Sequence, residues 1–188
     1  MIATGNPGKI TEYADLIGDS GLELVAHDTR VKEVGADYLS NALLKARAAT
    51  AATGQPSLGD DSGLELYALG GYPGLRSARI AASQPERTEL LLRRLADHPR
   101  PWRARFVCAL ALAWPDGLEK TFVGLAEGEV IPARGGGGFG YDPVFLVPEL
   151  GQTFAEMGRA EKHRHSHRGA AVRALVESGA LHRLQPAS

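Results

Sequence analysis

The chain has 188 residues, 44% of them hydrophobic, which is enough to bury one sizeable core and favours a single domain over 1–188 with room for two lobes. Its 21 basic and 22 acidic residues leave a net charge of -1 and are spread along the chain, which excludes the basic face of a nucleic-acid binder and an acidic tail. The single cysteine, Cys108, sits in the apolar run FVCALALAW, so a disulfide framework is excluded, the thiol reads as buried and inert, and a reducing, cytoplasmic setting is expected.

A short apolar start, Met1 to Thr4, leads into a helix whose residues Ile10, Tyr13, Ala14, Leu16 and Ile17 follow helical spacing up to Gly18. LELVAH, from residue 22, reads as a strand. Leu39, Ala42, Leu43, Ala46 and Ala49 then predict a second amphipathic helix ending near Gly54 and Pro56. LELYAL, from Leu64, reads as a further strand before the GGYPG turn. Ser83 and Glu86 match a capping box for a third helix through Leu95, and ARFVCALALAW and EKTFVGLAEGEVI flank PDG as a long antiparallel hairpin. Thr153 and Glu156 suggest a second capping box, and Ala170 to Glu177 carries the last helical pattern. The expected fold is α/β, a mixed, twisted sheet with helices packed on it. The longest apolar run is about half of what a membrane-spanning helix needs, and MIATGNPGK lacks the apolar segment of a signal peptide, so no membrane partner is expected.

Four stretches carry chemistry. TGNPGK, Thr4 to Lys9, joins the first strand to the first helix, so its backbone N–H groups, the helix dipole and Lys9 suit an anion, although a plain strand-to-helix turn has the same residues. It is not a Walker A loop, which needs glycine at Ala3 and a hydroxyl at Ile10. GGGGFG has dinucleotide spacing through Gly135, Gly137 and Gly140, but Pro143 stands where the required helix should grow, leaving a flexible loop that ends in Phe139, Tyr141 and Asp142. Those aromatics and the carboxylate suit a stacked base with a polar edge, or simply anchor the loop in the core. EKHRHSHRG, Glu161 to Gly169, is dense in donors for phosphate oxygens or a purine carbonyl; a solvated basic turn and a zinc site through His163 and His167 compete, the latter against Arg164 where a zinc protease has glutamate.

The strongest signal is Asp60 and Asp61 in LGDDSGLEL. Two carboxylates beside a buried strand cost several kcal/mol unless a metal, a cation or backbone donors compensate them. Along an extended chain, neighbours face opposite ways, so the two divide roles: one faces a site and the other braces a turn around Ser62 and Gly63.

ATGNPGK, DDSGLEL with LGGYPG, GGFGYDPVF and AEKHRHSHRG, in this order and supported by NALLKARAA, resemble the inosine triphosphate pyrophosphatase family, which acts on noncanonical purine nucleoside triphosphates. The resemblance spans nearly the whole chain. It implies two lobes around an active-site cleft, a homodimer, and magnesium-dependent hydrolysis of ITP, dITP or XTP to the monophosphate and pyrophosphate. By position, it places the triphosphate on Thr4, Gly5, Asn6, Pro7, Gly8 and Lys9, with Lys45 nearby and Ser62 touching substrate. It makes Asp61 the general base and, with Glu33, the magnesium ligand. Phe139, Gly140, Tyr141, Asp142, Lys162, His167 and Arg168 match base-recognition and substrate-binding positions, and Asp60 becomes a supporting residue. The chain departs from the family pattern at Ser40, where many relatives carry an acidic residue, and in having three residues before Thr4. A pyrophosphatase for modified pyrimidines or methylated nucleotides, and a nucleotide-binding module without turnover, are the rival functions.

Overall fold

The computed structural model describes residues 1–18, 24–28, 31 and 34–184. Its strands are β1 (Ile2–Ala3), β2 (Ala26–His27), β3 (Ser57–Leu66), β4 (Trp102–Ala113), β5 (Glu119–Val130), β6 (Phe145–Val147) and β7 (Gln152–Thr153). Its helices are α1 (Pro7–Ile17), α2 (Tyr38–Thr53), α3 (Gln84–Leu95), α4 (Arg159–His165) and α5 (His167–Glu177). Among the described residues the strands form one seven-stranded sheet in the order β2-β1-β3-β4-β5-β6-β7. It is mixed: β1 pairs parallel with β2 and β3, whereas β6 pairs antiparallel with β5 and β7. The expected α/β class is therefore found. No helix among the described residues is long and apolar enough to cross a membrane.

The chain divides into two compact units, one of Met1–Asp61, Cys108–Gly124 and His167–Ser188, the other of Ser62–Val107 and Leu125–Ser166. In the first, period-two alternation along β4 sorts its side chains between two helical layers. Cys108, Leu110 and Leu112 pack with Tyr13 and Ile17 of α1 and with Ala171, Val172 and Leu175 of α5. Ala109, Ala111 and Ala113 pack with Ala42 and Ala46 of α2. Small residues on this second face draw α2 onto the sheet so closely that a Cβ built on Gly59 would lie 2.1 Å from the Ala42 carbonyl oxygen. Backbone cannot yield cheaply there, and overpacking typically costs about 1–3 kcal/mol. Gly59→Ala is therefore expected to lower the melting temperature and to shift Asn41 and Lys45 away from β3, with activity falling further than the stability loss explains; calorimetric melting and turnover on the same sample test this.

The second unit is built on aromatic packing, with the Phe145 ring centroid 4.6 Å from Phe106 and 4.9 Å from Phe154, and with Leu91 and Leu95 of α3 in the same cluster. Helix α3 carries the expected capping box: the Glu86 backbone N–H donates to Ser83 and the Ser83 N–H donates to the Glu86 carboxylate at 2.9 Å.

Three expectations are corrected. LELYAL is not a separate strand: β3 runs from Ser57 through the Asp pair to Leu66, and Tyr67–Leu69 forms a 3-10 turn closed by Gly70 at φ 61. Thr153 and Glu156 do not cap a helix. Thr153 ends β7, its hydroxyl donates to the Arg134 carbonyl, and only the Glu156 half of the box forms, accepting the Thr153 N–H at 2.8 Å. The glycine-rich loop is not loose either, because the Gly137 N–H donates to the Ala155 carbonyl at 3.0 Å and the Phe139 N–H to Asp142 Oδ2 at 2.6 Å. The hairpin at PDG forms as expected, with the Trp114 N–H bonded to the Leu118 carbonyl and Gly117 at φ 89.

Candidate active site

Because β3 is continuous, no turn exists at Ser62 and Gly63 for Asp60 to brace, and strand alternation sends the two carboxylates to opposite layers of the first unit. Asp61 points toward α2. The Lys45 ammonium donates to Asp61 Oδ1 at 3.0 Å and to the Asp60 carbonyl at 2.9 Å, and the Asn41 amide donates to Asp61 Oδ2 at 3.1 Å. Asn41 is itself oriented, since its Oδ1 accepts the Gly35 N–H at 2.8 Å, which identifies the oxygen end of the amide. Lys45 and Asn41 are one helical turn apart on α2, so a single helix face supplies both donors.

Asp60 points toward α1 and α5 and is 1% exposed. The Lys9 ammonium donates to its Oδ1, the Tyr13 hydroxyl to its Oδ2, and Arg168 Nε to the same Oδ2 at 3.1 Å. Burial alone would raise the Asp60 carboxyl; the Lys9 and Arg168 cations, helped by the Lys9 and Tyr13 hydrogen bonds, override it and hold the group well below the usual carboxylate range. Burial, then the Asp60 charge, pushes the Tyr13 phenol well above its ordinary value. The same two causes push the Cys108 thiol up to about 12, so the cysteine is the buried, inert group expected from its sequence context.

The Thr4–Lys9 loop is ordered by its own cap. Asn6 Oδ1 accepts the N–H groups of Gly8, at 2.9 Å, and Lys9, Pro7 occupies the first helical position, and Thr4 Oγ1 accepts the Asn6 N–H. Gly5, Asn6 and Pro7 are exposed. Positive charge here comes from the dipole of α1 and from Lys9 rather than from the Gly8 and Lys9 N–H groups, which the cap already engages.

The second unit holds the other cluster. Lys162 is buried, donates to Asp142 Oδ2 at 2.6 Å, and lies 4.9 Å from the centre of the half-buried Phe139 ring. A Cβ on Gly138 would meet Asp142 Oδ2 at 2.1 Å, so the loop can wrap this carboxylate only with glycine there. Tyr141 belongs to the core: it is 5% exposed, its hydroxyl donates to the Ser77 carbonyl at 2.8 Å, and burial pushes it up to about 12. Gly140 is half-buried and Ser62 is half-buried beside Asp61 on β3.

The structure thus gathers Lys9, Asp60, Asp61, Lys45 and Arg168 in the first unit, and Phe139, Asp142 and Lys162 in the second. Glu33 lies outside the described residues. The zinc alternative loses its geometry, because α4 ends at His165 and Ser166 adopts extended backbone (φ -80, ψ 153), so His163 and His167 share no helix. No group of three or more His, Cys, Asp or Glu suited to a metal ion occurs among the described residues. Sequence reading missed Glu12, Tyr13 and Asn41 as site residues. The signal was present for two of them: Glu12 and Tyr13 follow Lys9 by three and four residues and so share its helix face.

A mixed sheet whose third strand carries two adjacent carboxylates, each met by cations from a different helical layer, defines an α/β protein with a centre suited to polyphosphate chemistry. The chain belongs to the Ham1 family, whose sequence profile matches residues 1–178. It is 52% identical over 186 residues to a dITP/XTP pyrophosphatase of Thermus thermophilus, covering 95% of this chain and 90% of that protein. The solved Ham1 protein of Coxiella burnetii superposes with a TM-score of 0.83 at 35% identity, covering 95% of this chain and 96% of that one. The Ham1 protein of Staphylococcus aureus gives 0.81 at 36% identity, covering 95% and 97%.

Proposed function

We propose that this protein hydrolyses noncanonical purine nucleoside triphosphates (ITP, dITP and XTP) to the monophosphate and pyrophosphate, clearing them from the nucleotide pool. The observation that carries this reading is the Asp61 carboxylate, fixed by Lys45 and Asn41 on the strand that also presents Asp60 and, through it, Lys9. The likeness to the dITP/XTP pyrophosphatase of Thermus thermophilus supports it.

In this reading Asp61 is the general base. It takes a proton from water as the water oxygen bonds to the α-phosphorus, and the bond from that phosphorus to the α,β-bridging oxygen breaks, releasing pyrophosphate. General-base help of this kind is worth about 10²- to 10⁴-fold. Lys9 and Lys45 supply positive charge to phosphate oxygens that gain charge in the transition state. The donor set suits Mg2+, which usually takes one or two carboxylates alongside phosphate and water oxygens. Asp61 would hold it, with Glu33 as the second ligand we assign from the family resemblance. Bound there, the ion supplies Lewis-acid neutralisation of the phosphate oxygens and lowers the pKa of water.

Phe139 offers a ring face for the base, with Asp142 and Lys162 holding polar edges, and the Tyr141 contribution is to anchor that loop from the core. His167 and Arg168 keep a substrate-binding role through the first-turn N–H groups of α5. Choosing hypoxanthine or xanthine over adenine requires donors to the 6-carbonyl, since the adenine amino group would leave them unpaired at a cost of about 1–3 kcal/mol. Rejecting GTP, which shares that carbonyl, requires crowding of its 2-amino group. We further propose a cytoplasmic homodimer.

The test is pyrophosphate release with magnesium across ITP, dITP, XTP, GTP, ATP, dUTP and dTTP. Release from the first three in preference to the rest is expected. Preference for a pyrimidine, release of single phosphates, or binding of ITP without turnover would each replace this reading.

A further inference from the structure

Lys9, Glu12 and Tyr13 stand on one face of α1, and all three engage a single buried network with Asp60 of β3 and Arg168 of α5. Arg168 is the hub. At 3% side-chain exposure its Nε donates to Asp60 Oδ2 and its Nη1 to Glu12 Oε2, so the guanidinium is committed to two protein carboxylates. Asp60 has its two oxygens divided: Oδ2 is held by both Tyr13 and Arg168, whereas Oδ1 receives Lys9. The charges of Asp60, Glu12, Lys9 and Arg168 balance. Lys9 is the most exposed of these four charged side chains, at 16% against 10% for Glu12, 3% for Arg168 and 0% for Asp60.

A carboxylate with one oxygen pinned by two donors cannot rotate, so its other oxygen points in one direction. A lysine bonded to that oxygen gives up the rotamer freedom that it would otherwise lose only on binding an anion. We propose that Tyr13 and Arg168 are positioning residues: they hold Asp60 Oδ2 so that Asp60 Oδ1 keeps the Lys9 ammonium aimed at an incoming polyphosphate. This rests on the polyphosphate reading of the Lys9 loop. It also gives the Arg168 guanidinium a role different from direct substrate contact, and it gives Tyr13, whose ring is core, a task for its hydroxyl.

The experiment is a double-mutant cycle on the full-length chain, Tyr13→Phe with and without Lys9→Gln, read by calorimetric titration of inorganic tripolyphosphate and by KM and kcat for ITP. Tyr13→Phe is expected to weaken tripolyphosphate binding about 3- to 10-fold, the scale of one side chain's ordering cost. KM should rise in step and kcat stay within about 2-fold. In the Lys9→Gln background the same change should weaken binding less than about 2-fold, since its target is gone. Equal losses in both backgrounds, or no loss in either, would overturn the proposal. Should Tyr13→Phe fail to fold, Arg168→Lys, which keeps the charge but not both bonds, is taken through the same cycle with tripolyphosphate titration as its readout and the same binding criteria. The titration needs no turnover, so a chain that hydrolyses none of the nucleotides refutes the proposed activity while leaving this test standing.

Discussion

Asp61→Asn is expected to reduce pyrophosphate release by about 10²- to 10⁴-fold while leaving nucleotide affinity within roughly an order of magnitude. The reason is local. Both Asp61 oxygens accept bonds from donors, Lys45 at Oδ1 and Asn41 at Oδ2, and an amide in their place turns one acceptor into an NH2 group facing a donor. On the proposed reading the variant loses the proton acceptor and keeps Lys9 and the capped α1 loop, so binding is expected to survive where chemistry does not. Single-turnover pyrophosphate release beside titration with ITP separates the two. A variant that turns over at close to the wild-type rate would remove Asp61 from the role of base.

Asp60→Asn is expected to act mainly on stability. Arg168 and Lys9 would be left around a neutral amide in a buried site, and breaking a buried ion pair by removing one partner costs about 3–5 kcal/mol. In a chain of this size that corresponds to a fall in Tm on the order of 10 °C. Turnover per folded molecule should fall less than in Asp61→Asn, because Asp60 acts through Lys9. The acid dependence carries a second signature. The folded carboxyl is held well below its unfolded value, which lies near 4, so its contribution is fully present above about pH 4 and is lost as the pH falls from there toward the folded pKa. The stability gap between wild type and Asp60→Asn should therefore narrow as magnesium-free samples are taken below about pH 4 in denaturant titrations. A gap that stays constant from pH 7 to 3 would mean that Asp60 carries no depressed pKa.

Much of the frame was legible because short-range rules wrote it. The Ser83–Glu86 box, the PDG hairpin, and the glycines closing helices at Gly54 and the hairpin at Gly117 depend on neighbours within a few residues. Thr153 and Glu156 satisfied the same local rule and still made no helix, since Thr153 was drawn into antiparallel pairing with Leu146 of β6, a competing strand contact that the capping pattern, confined to residues 153–156, does not register. The Asp pair misled in the same way: flanking glycine and serine suggested a turn, yet pairing of Leu58 and Gly59 with β1 held this stretch extended.

The sequence by itself determined the α/β class, helices α1, α2, α3 and α5, the four chemical stretches and the division of Asp60 from Asp61, because periodicity and strand alternation are properties of the chain alone. Only the tertiary structure decided which carboxylate meets which cation. Lys9 lies 51 positions from Asp60, and Arg168 lies 108. Pairings at that separation are set by how closely the helices pack on the sheet, and that closeness depends on Gly124, where a Cβ would lie 2.0 Å from the His167 carbonyl oxygen of α5, and, on the α2 side, on Gly59 and the alanines of β4, residues that carry no chemistry of their own.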